Sequence, residues 1–335
     1  MIHFLLLLKK VNNFMKKLIK IALPLLDIIL IPFVFFATAL LWFVRKARVS
    51  KLSITKKILL YIGVFPIIRH YYEPMFDTRE LTKSLSSDRS LPGINLNNNG
   101  QVEMLNKFNF EEETRDLPLE KESEDSYYLN NGTFGPGDAE YWYNIIRISK
   151  PKIIIEIGSG YSTLMAIKAI NKNKEEDSSY NCEHYCIEPY EMPWLEKSGV
   201  TVIRKKVENV EKSFFRKLEK SDILFIDSSH VIRPQSDVLV EYLEILPILN
   251  PGVIVHIHDI FSPKDYPEDW IKNEVRFWNE QYLVEAFLTM NNDWKVIGGL
   301  NYLYHNHFEK LKEKCPNLSY NREPCSFYIK RIIKD

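Results

Sequence analysis

Between Lys152 and His258, five short runs rich in β-branched residues alternate with stretches of helical character, and this alternation leaves few folds open. The runs lie near Lys152–Ile157, Tyr185–Glu188, Val200–Arg204, Ile223–Asp227 and Gly252–His258. Helices are expected near Asp138–Ser149, Ser162–Asn171, Asn209–Lys220, Ser236–Leu249 and Trp270–Met290. Successive strands joined by helices lie parallel, because a parallel neighbour is reached only by a connection that recrosses the sheet. The expected fold class is therefore α/β, a doubly wound sheet. Two further runs, Trp294–His305 and Ser326–Ile332, have no long helix between them and are expected to pair as an antiparallel hairpin at one edge, making seven strands.

Ahead of this pattern the chain is apolar and basic. From Ile21 to Val44 twenty-four residues carry one charge, Asp27. At about 1.5 Å per residue, a helix of that length spans a bilayer core of about 30 Å. Lys16, Lys17 and Lys20 precede the run and Arg45, Lys46, Arg48, Lys51, Lys56 and Lys57 follow it. Positive charge on both flanks leaves the orientation open, with a weak lean toward a cytoplasmic C-terminal side. Pro24, Asp27 and Pro32 also permit a re-entrant or in-plane anchor, whereas a cleavable signal peptide fits poorly because its apolar region is usually about 7–15 residues. Met15, followed by Lys16 and Lys17, reads as a second plausible start.

These features divide the chain into an anchor (residues 1–60), a polar connecting region (61–133) and a larger domain (134–335). The whole chain has 44 Lys+Arg against 44 Asp+Glu. The first sixty residues hold eleven of the bases and a single acid, so the remainder is net acidic by ten charges. A phosphate-tracking surface shows the opposite balance, so nucleic acid is not expected as a partner; the patch Arg204, Lys205, Lys206 is too small to reverse this. The four cysteines lack the paired short spacings of a zinc site or a disulfide framework, which points to a reduced compartment.

Ligands of open parallel sheets sit beyond the carboxyl ends of the strands. The first strand ends Glu156-Ile157-Gly158-Ser159-Gly160-Tyr161-Ser162, and the second ends at Glu188. Glycines allow a sharp turn and close approach of a ligand to the backbone. Thr163 stands where a dinucleotide fingerprint has its third glycine, and Glu156 suits a cationic ligand better than a pyrophosphate. A carboxylate at Glu188 is placed to accept both hydroxyls of a ribose.

These residues resemble the class I S-adenosylmethionine-dependent methyltransferases, and more closely a small bacterial-type branch. The branch is marked by the run Phe134 to Glu140, the glycine turn, C-I-E-P-Y, D-I-L-F-I-D-S-S-H, P-G-V-I-V-H-I-H-D-I-F and W-N-E-Q-Y, all present in order up to Tyr282. The resemblance implies a Rossmann-like fold with S-adenosylmethionine held by Glu156, Gly158, Ser159, Gly160, Ser162 and Glu188, and with Asp138 closing over it.

The fourth and fifth predicted strands end in Asp227-Ser228-Ser229-His230 and His256-Ile257-His258-Asp259. Converging carboxylates and imidazoles can hold a divalent cation or leave a histidine as general base. Metal-dependent sugar O-methyltransferases are similar in the placing of Asp227, His230 and Asp259, but His258 stands where they have the first acid of a pair. That departure implies a softer metal at Asp227, His258 and Asp259, or none, with His230 and Asp227 as the catalytic pair. His256 is expected to be a hydrogen-bonded histidine near the core. Phe261, Tyr266, Trp270, Trp278 and Tyr282 are candidates to wall an acceptor pocket, with simple packing as the alternative, and Asn279, Glu280 and Gln281 are expected to face the site.

The expected activity is transfer of a methyl group from S-adenosylmethionine to a small-molecule or lipid-linked acceptor, with oxygen on a sugar, glycolipid or other envelope intermediate foremost. The enzyme would be membrane-associated through its N-terminal segment, with the catalytic domain cytoplasmic. A hydroxylase-like metal-dependent enzyme and a non-catalytic membrane-bound scaffold are the alternatives.

Overall fold

The computed structural model describes residues 2–332, with side chains described from residue 19. Met1, the side chains of Met15, Lys16 and Lys17, and residues 333–335 lie outside that description. The chain forms two units, Met1–Leu81 and Thr82–Asp335.

The first unit contains helices α1 (Ile2–Lys46) and α2 (Ser53–Ile62). Within α1, Ile19–Lys46 is long and apolar enough to cross a membrane. The helix continues through Pro24 and Pro32. Gly63 closes α2 in a left-handed conformation, φ +82°, and its N–H bonds the Leu59 carbonyl. Val44, Val49 and Leu59 form the small core of this unit.

The second unit holds, in chain order, α3 (Asn98–Leu105), α4 (Glu111–Arg115), α5 (Asp138–Ser149), β1 (Ile153–Ile157), α6 (Tyr161–Glu176), β2 (Glu183–Ile187), β3 (Thr201–Ile203), β4 (Ile223–Ile226), α7 (Asp237–Val240), β5 (Ile254–Ile257), α8 (Glu280–Leu288), β6 (Trp294–Gly299), α9 (Leu300–Asn306), α10 (Phe308–Lys314) and β7 (Phe327–Arg331). The sheet order is β3-β2-β1-β4-β5-β7-β6. β1 to β5 are parallel, and β7 runs against both β5 and β6, one place in from the edge. All four residues of β4 are buried, as a central parallel strand covered on both faces requires. Its alternating side chains feed two cores. Ile223 and Phe225 join Trp142, Tyr141 and Tyr328 on one face, and Leu224 and Ile226 join Phe215, Tyr242 and Val255 on the other. Each such buried side chain contributes about 1.5–3 kcal/mol.

Residues ahead of 134 belong to this unit as well. The Asn97 amide donates to the Val296 carbonyl, and Gln101 Oε1 accepts from Gly299 N–H. Three expected elements differ. Asn209–Lys220 forms short 3₁₀ turns, Val207–Asn209 and Lys212–Lys217, separated by extended backbone at Val210, although its buried residues Val207, Val210, Phe215 and Leu218 recur at helical spacing. Trp270–Met290 splits into a π-helical turn, Asp269–Asn273, and α8, with Val275 at φ +54° between them. The strand from Trp294 ends at Gly299, and residues 300–306 are helical.

Candidate active site

β1 runs into Gly158, which sits at φ +86°. Glycine adopts this conformation without steric cost. A Cβ there would overlap the Asp227 carbonyl oxygen, so the end of β4 lies directly against the turn. Around Gly160 nothing lies within 4 Å of the place a Cβ would take, and the bend opens onto free space. A cavity of about 230 Å³ is lined by Gly158, Glu188, Val207, Glu208 and Asp227. Glu188 is 6% exposed, and its two oxygens accept from the Ser159 N–H at 3.3 Å and the Tyr190 N–H at 2.9 Å. A carboxylate has about four acceptor positions, so two remain for a ligand. The Ser159 hydroxyl beside it is buried with no hydrogen-bond partner. A cradle free of side-chain bulk, an orphaned hydroxyl and a carboxylate with spare acceptor capacity fit a nucleoside with vicinal hydroxyls.

Glu156 behaves differently from what the sequence suggests. It is wholly buried, accepting from Thr163 Oγ1 at 2.7 Å, Ser162 Oγ at 3.2 Å and His184 Nε2 at 2.6 Å, and it does not line the cavity. Parallel pairing of β1 with β2 sets Glu156 beside Cys186, and His184, two residues earlier on β2, shares that face. Burial disfavours a charge on His184, but Cys186 and Glu156 outweigh it and raise its pKa to about 10. Glu156 and Ser162 therefore brace the glycine turn from behind. Asp138 does not line the Gly158–Glu188 cavity either. At the start of α5 it is wholly buried, its Oδ1 accepts from the N–H groups of Cys325 at 2.9 Å and Ser326 at 2.8 Å, and it lines a second cavity. Burial pushes its carboxyl pKa up, against the opposing pull of His258.

The ends of β4 and β5 bring the other predicted residues together. His230 Nε2 lies 3.2 Å from Asp227 Oδ1 and 3.5 Å from Asp259 Oδ2, and its Nδ1 is 2.7 Å from Glu280 Oε2. Glu280, wholly buried, also accepts from Tyr242 Oη at 2.8 Å. Trp278 covers the His230 ring at 4.2 Å between centroids. The break ahead of α8 makes this possible, because the N–H groups of Asn279 and Glu280 both bond the His230 carbonyl. Burial opposes protonation of His230, yet Asp227 and Glu280 hold its pKa well above the usual range. Burial likewise opposes ionisation of Asp227, but His258 and His230 hold it well below the usual carboxylate range.

His258 Nδ1 is buried without a hydrogen bond, 3.7 Å from Asp227 Oδ1 and 3.6 Å from Asp259 Oδ1. Such separations are too long for hydrogen bonds but match atoms that share a cation at about 2.0–2.2 Å from each. The ligand atoms of Asp227, His258 and Asp259 all lie within 4.8 Å of one another. This donor set suits a first-row divalent ion. His256 is wholly buried but not hydrogen-bonded. Both ring nitrogens lack partners, the ring stacks on Tyr328 at 4.2 Å, and burial keeps it neutral.

Asp259 opens onto the second cavity, about 410 Å³, which Phe261 and Trp270 also line. The other expected wall residues do not line it. Tyr266 packs in an aromatic cluster with Phe261 and Trp270, Trp278 covers His230, and Tyr282 bonds Asp265 at 3.0 Å. Gln281 holds the loop after β5, accepting from Phe261 N–H at 2.6 Å, and Asn279 accepts from Ile232 N–H at 2.7 Å. The sequence reading missed the orienting role of Glu280, the contribution of Val207 and Glu208, and the lining from residues 85, 86, 301 and 322. Val207 and Glu208 were findable, since they follow the end of the third strand.

Residues 155–260 match the family model described as a methyltransferase domain. The chain is 31% identical over 180 residues to an uncharacterized protein of Archaeoglobus fulgidus, covering 50% of this chain and 78% of that protein. Among solved structures it is similar to an O-methyltransferase from Bacillus cereus in complex with SAH (13% identity, 70% of this chain and 91% of that chain, TM-score 0.36). It is also similar to the O-methyltransferase TomG from Streptomyces achromogenes in complex with SAM (13% identity, 69% and 90%, TM-score 0.35).

Proposed function

We propose that the chain, whose residues 155–260 match a methyltransferase domain, is a class I S-adenosylmethionine-dependent methyltransferase that methylates an oxygen of a small hydroxyl-bearing acceptor, a sugar or lipid-linked envelope intermediate. S-adenosylmethionine, the methyl donor of this family, supplies a methyl carbon already activated by its sulfonium. The protein then has to align the acceptor oxygen and dispose of its proton. Gly158 and Gly160 admit the nucleoside, and Glu188 takes its ribose hydroxyls. One observation carries the reading: Asp227 lines the Gly158–Glu188 cavity, Asp259 lines the second cavity, and His230 Nε2 lies within 3.5 Å of both carboxylates. A hydroxyl entering from the second cavity thus meets the imidazole at the border of the first. Glu280 fixes the ring orientation through Nδ1, leaving Nε2 for the acceptor.

The unpartnered Nδ1 of His258 favours a divalent ion at Asp227, His258 and Asp259. Bound there, it would lower the pKa of an acceptor hydroxyl and engage Asp227, one of the two carboxylates that otherwise keep His230 protonated. Ile19–Lys46 would anchor the enzyme in a membrane where lipid-linked acceptors gather, with the catalytic unit on the cytoplasmic side. The test is transfer of labelled methyl from S-adenosylmethionine into a membrane extract, with and without chelator, followed by identification of the labelled species. Label in a hydroxyl-derived methyl ether supports the reading. Label confined to amines, or no transfer, overturns it.

A further inference from the structure

We propose that the second cavity recognises an anionic group, a phosphate or carboxylate, on its ligand, and that Arg322 is the residue that binds it. Arg322 lines the 410 Å³ cavity together with Asp259 and Trp270. That volume falls in the range of about 300–1,000 Å³ typical of small-molecule sites. Its guanidinium lies over Gly135, where any side chain would overlap it. Gly135 is not among the glycines with positive φ, so a side chain there would act by displacing the Arg322 guanidinium rather than by straining the backbone.

Arg322 is of intermediate exposure and, among the described residues, its guanidinium makes no hydrogen bond or ion pair. The other charges of the cavity wall are committed. Lys264 Nζ bonds the Ser86 carbonyl at 2.6 Å and Asp88 at 2.8 Å. Asp265 pairs with Arg89 at 3.2 Å, and Glu268 with Lys272 at 2.5 Å. Glu323 accepts from Asn301 at 2.9 Å and contacts His305 at 3.1 Å. Asp138 is held by two backbone N–H groups, and Asp259 faces His230 and His258. An arginine on the cavity wall without a counter-charge is available to a ligand anion, which supplies the missing partner. The planar fork of arginine presents paired donors matched to carboxylate and phosphate oxygens.

That this anion belongs to the methyl acceptor rests on the function proposed above; the anion site itself does not. The probes are inorganic phosphate and acetate, titrated separately into the full-length protein at constant ionic strength and followed by tryptophan fluorescence. Trp270 on the cavity wall is the reporter. The expected result is a saturable change with at least one probe at millimolar concentration, lost in Trp270→Phe. In Arg322→Gln the response weakens at least ten-fold, while S-adenosylmethionine binding is unchanged. Saturation by phosphate but not acetate assigns a phosphate-bearing ligand, and the reverse a carboxylate. Gly135→Ser, which displaces the guanidinium without removing it, should weaken the same response. No saturable response in the wild type, or equal responses in wild type and Arg322→Gln, overturns the proposal. Failure to bind S-adenosylmethionine would instead strike the methyltransferase reading, leaving the anion site standing.

Discussion

The Gly158–Glu188 cavity is lined by residues 157 to 237 alone, mostly the loops that follow β1, β2, β3 and β4. The cavity beside it gathers residues 85–86, 132–138, 259–270, 301–305 and 322–325. The first is a property of the sheet, since its position follows from strand order, and its residues announce themselves at strand ends. The second is a property of the loops and C-terminal segments that cover the sheet. On the proposed function, variation there would change the acceptor without disturbing the donor site.

The comparison breaks most readily at the glycine turn. Gly158→Ala must place a side chain at positive φ and against the Asp227 carbonyl, a strain of about 3 kcal/mol. S-adenosylmethionine affinity measured by calorimetry should fall about 100-fold. An undiminished affinity would mean the nucleoside does not use this bend. Next in size, Glu188→Ala removes a charged acceptor of two hydroxyls and should weaken donor binding about 10- to 100-fold. Glu280→Gln separates the two regions: kcat drops about 10- to 100-fold as the imidazole loses its orienting carboxylate, while donor affinity stays at the wild-type value. If donor affinity falls instead, Glu280 acts on the fold and not on His230.

The smallest effect comes from the brace behind the turn. The folded pKa of His184, raised to about 10, exceeds its ordinary value near 6.5. The pair with Glu156 therefore stabilises the fold fully below about pH 6.5 and loses that contribution as pH rises through about 10. Thermal unfolding followed from pH 7 to 10 should show a steeper loss of Tm for wild type than for His184→Gln, by a few degrees. Parallel slopes would show that the pair contributes nothing across this range.

Much of the arrangement around the Gly158–Glu188 cavity was legible. Parallel strands, the glycine turn, Glu188 and the convergence of Asp227, His230, His258 and Asp259 all follow from residues at strand ends, where position in the chain fixes position in space. What could not be read was the direction in which side chains turn. Glu156 and Asp138 sit next to the cavities in sequence, yet one turns to His184 and the other to the backbone of Cys325 and Ser326. Those partners lie 28 and 187–188 residues away. Helices also misled where packing overrode propensity, as in Asn209–Lys220 and in the interrupted stretch before α8. There the N–H groups of Asn279 and Glu280, at the start of α8, grip the loop of His230. Arg322 had no local signal, because its meaning comes from a glycine 187 residues earlier.

The most direct test of the central claim is a crystal structure with S-adenosylhomocysteine bound. The account predicts ribose hydroxyls within hydrogen-bond distance of the Glu188 carboxylate and the thioether sulfur turned toward Asp227 and His230. A nucleoside lodged in the Trp270 cavity, or a Glu188 side chain rotated away from the ribose, would contradict it.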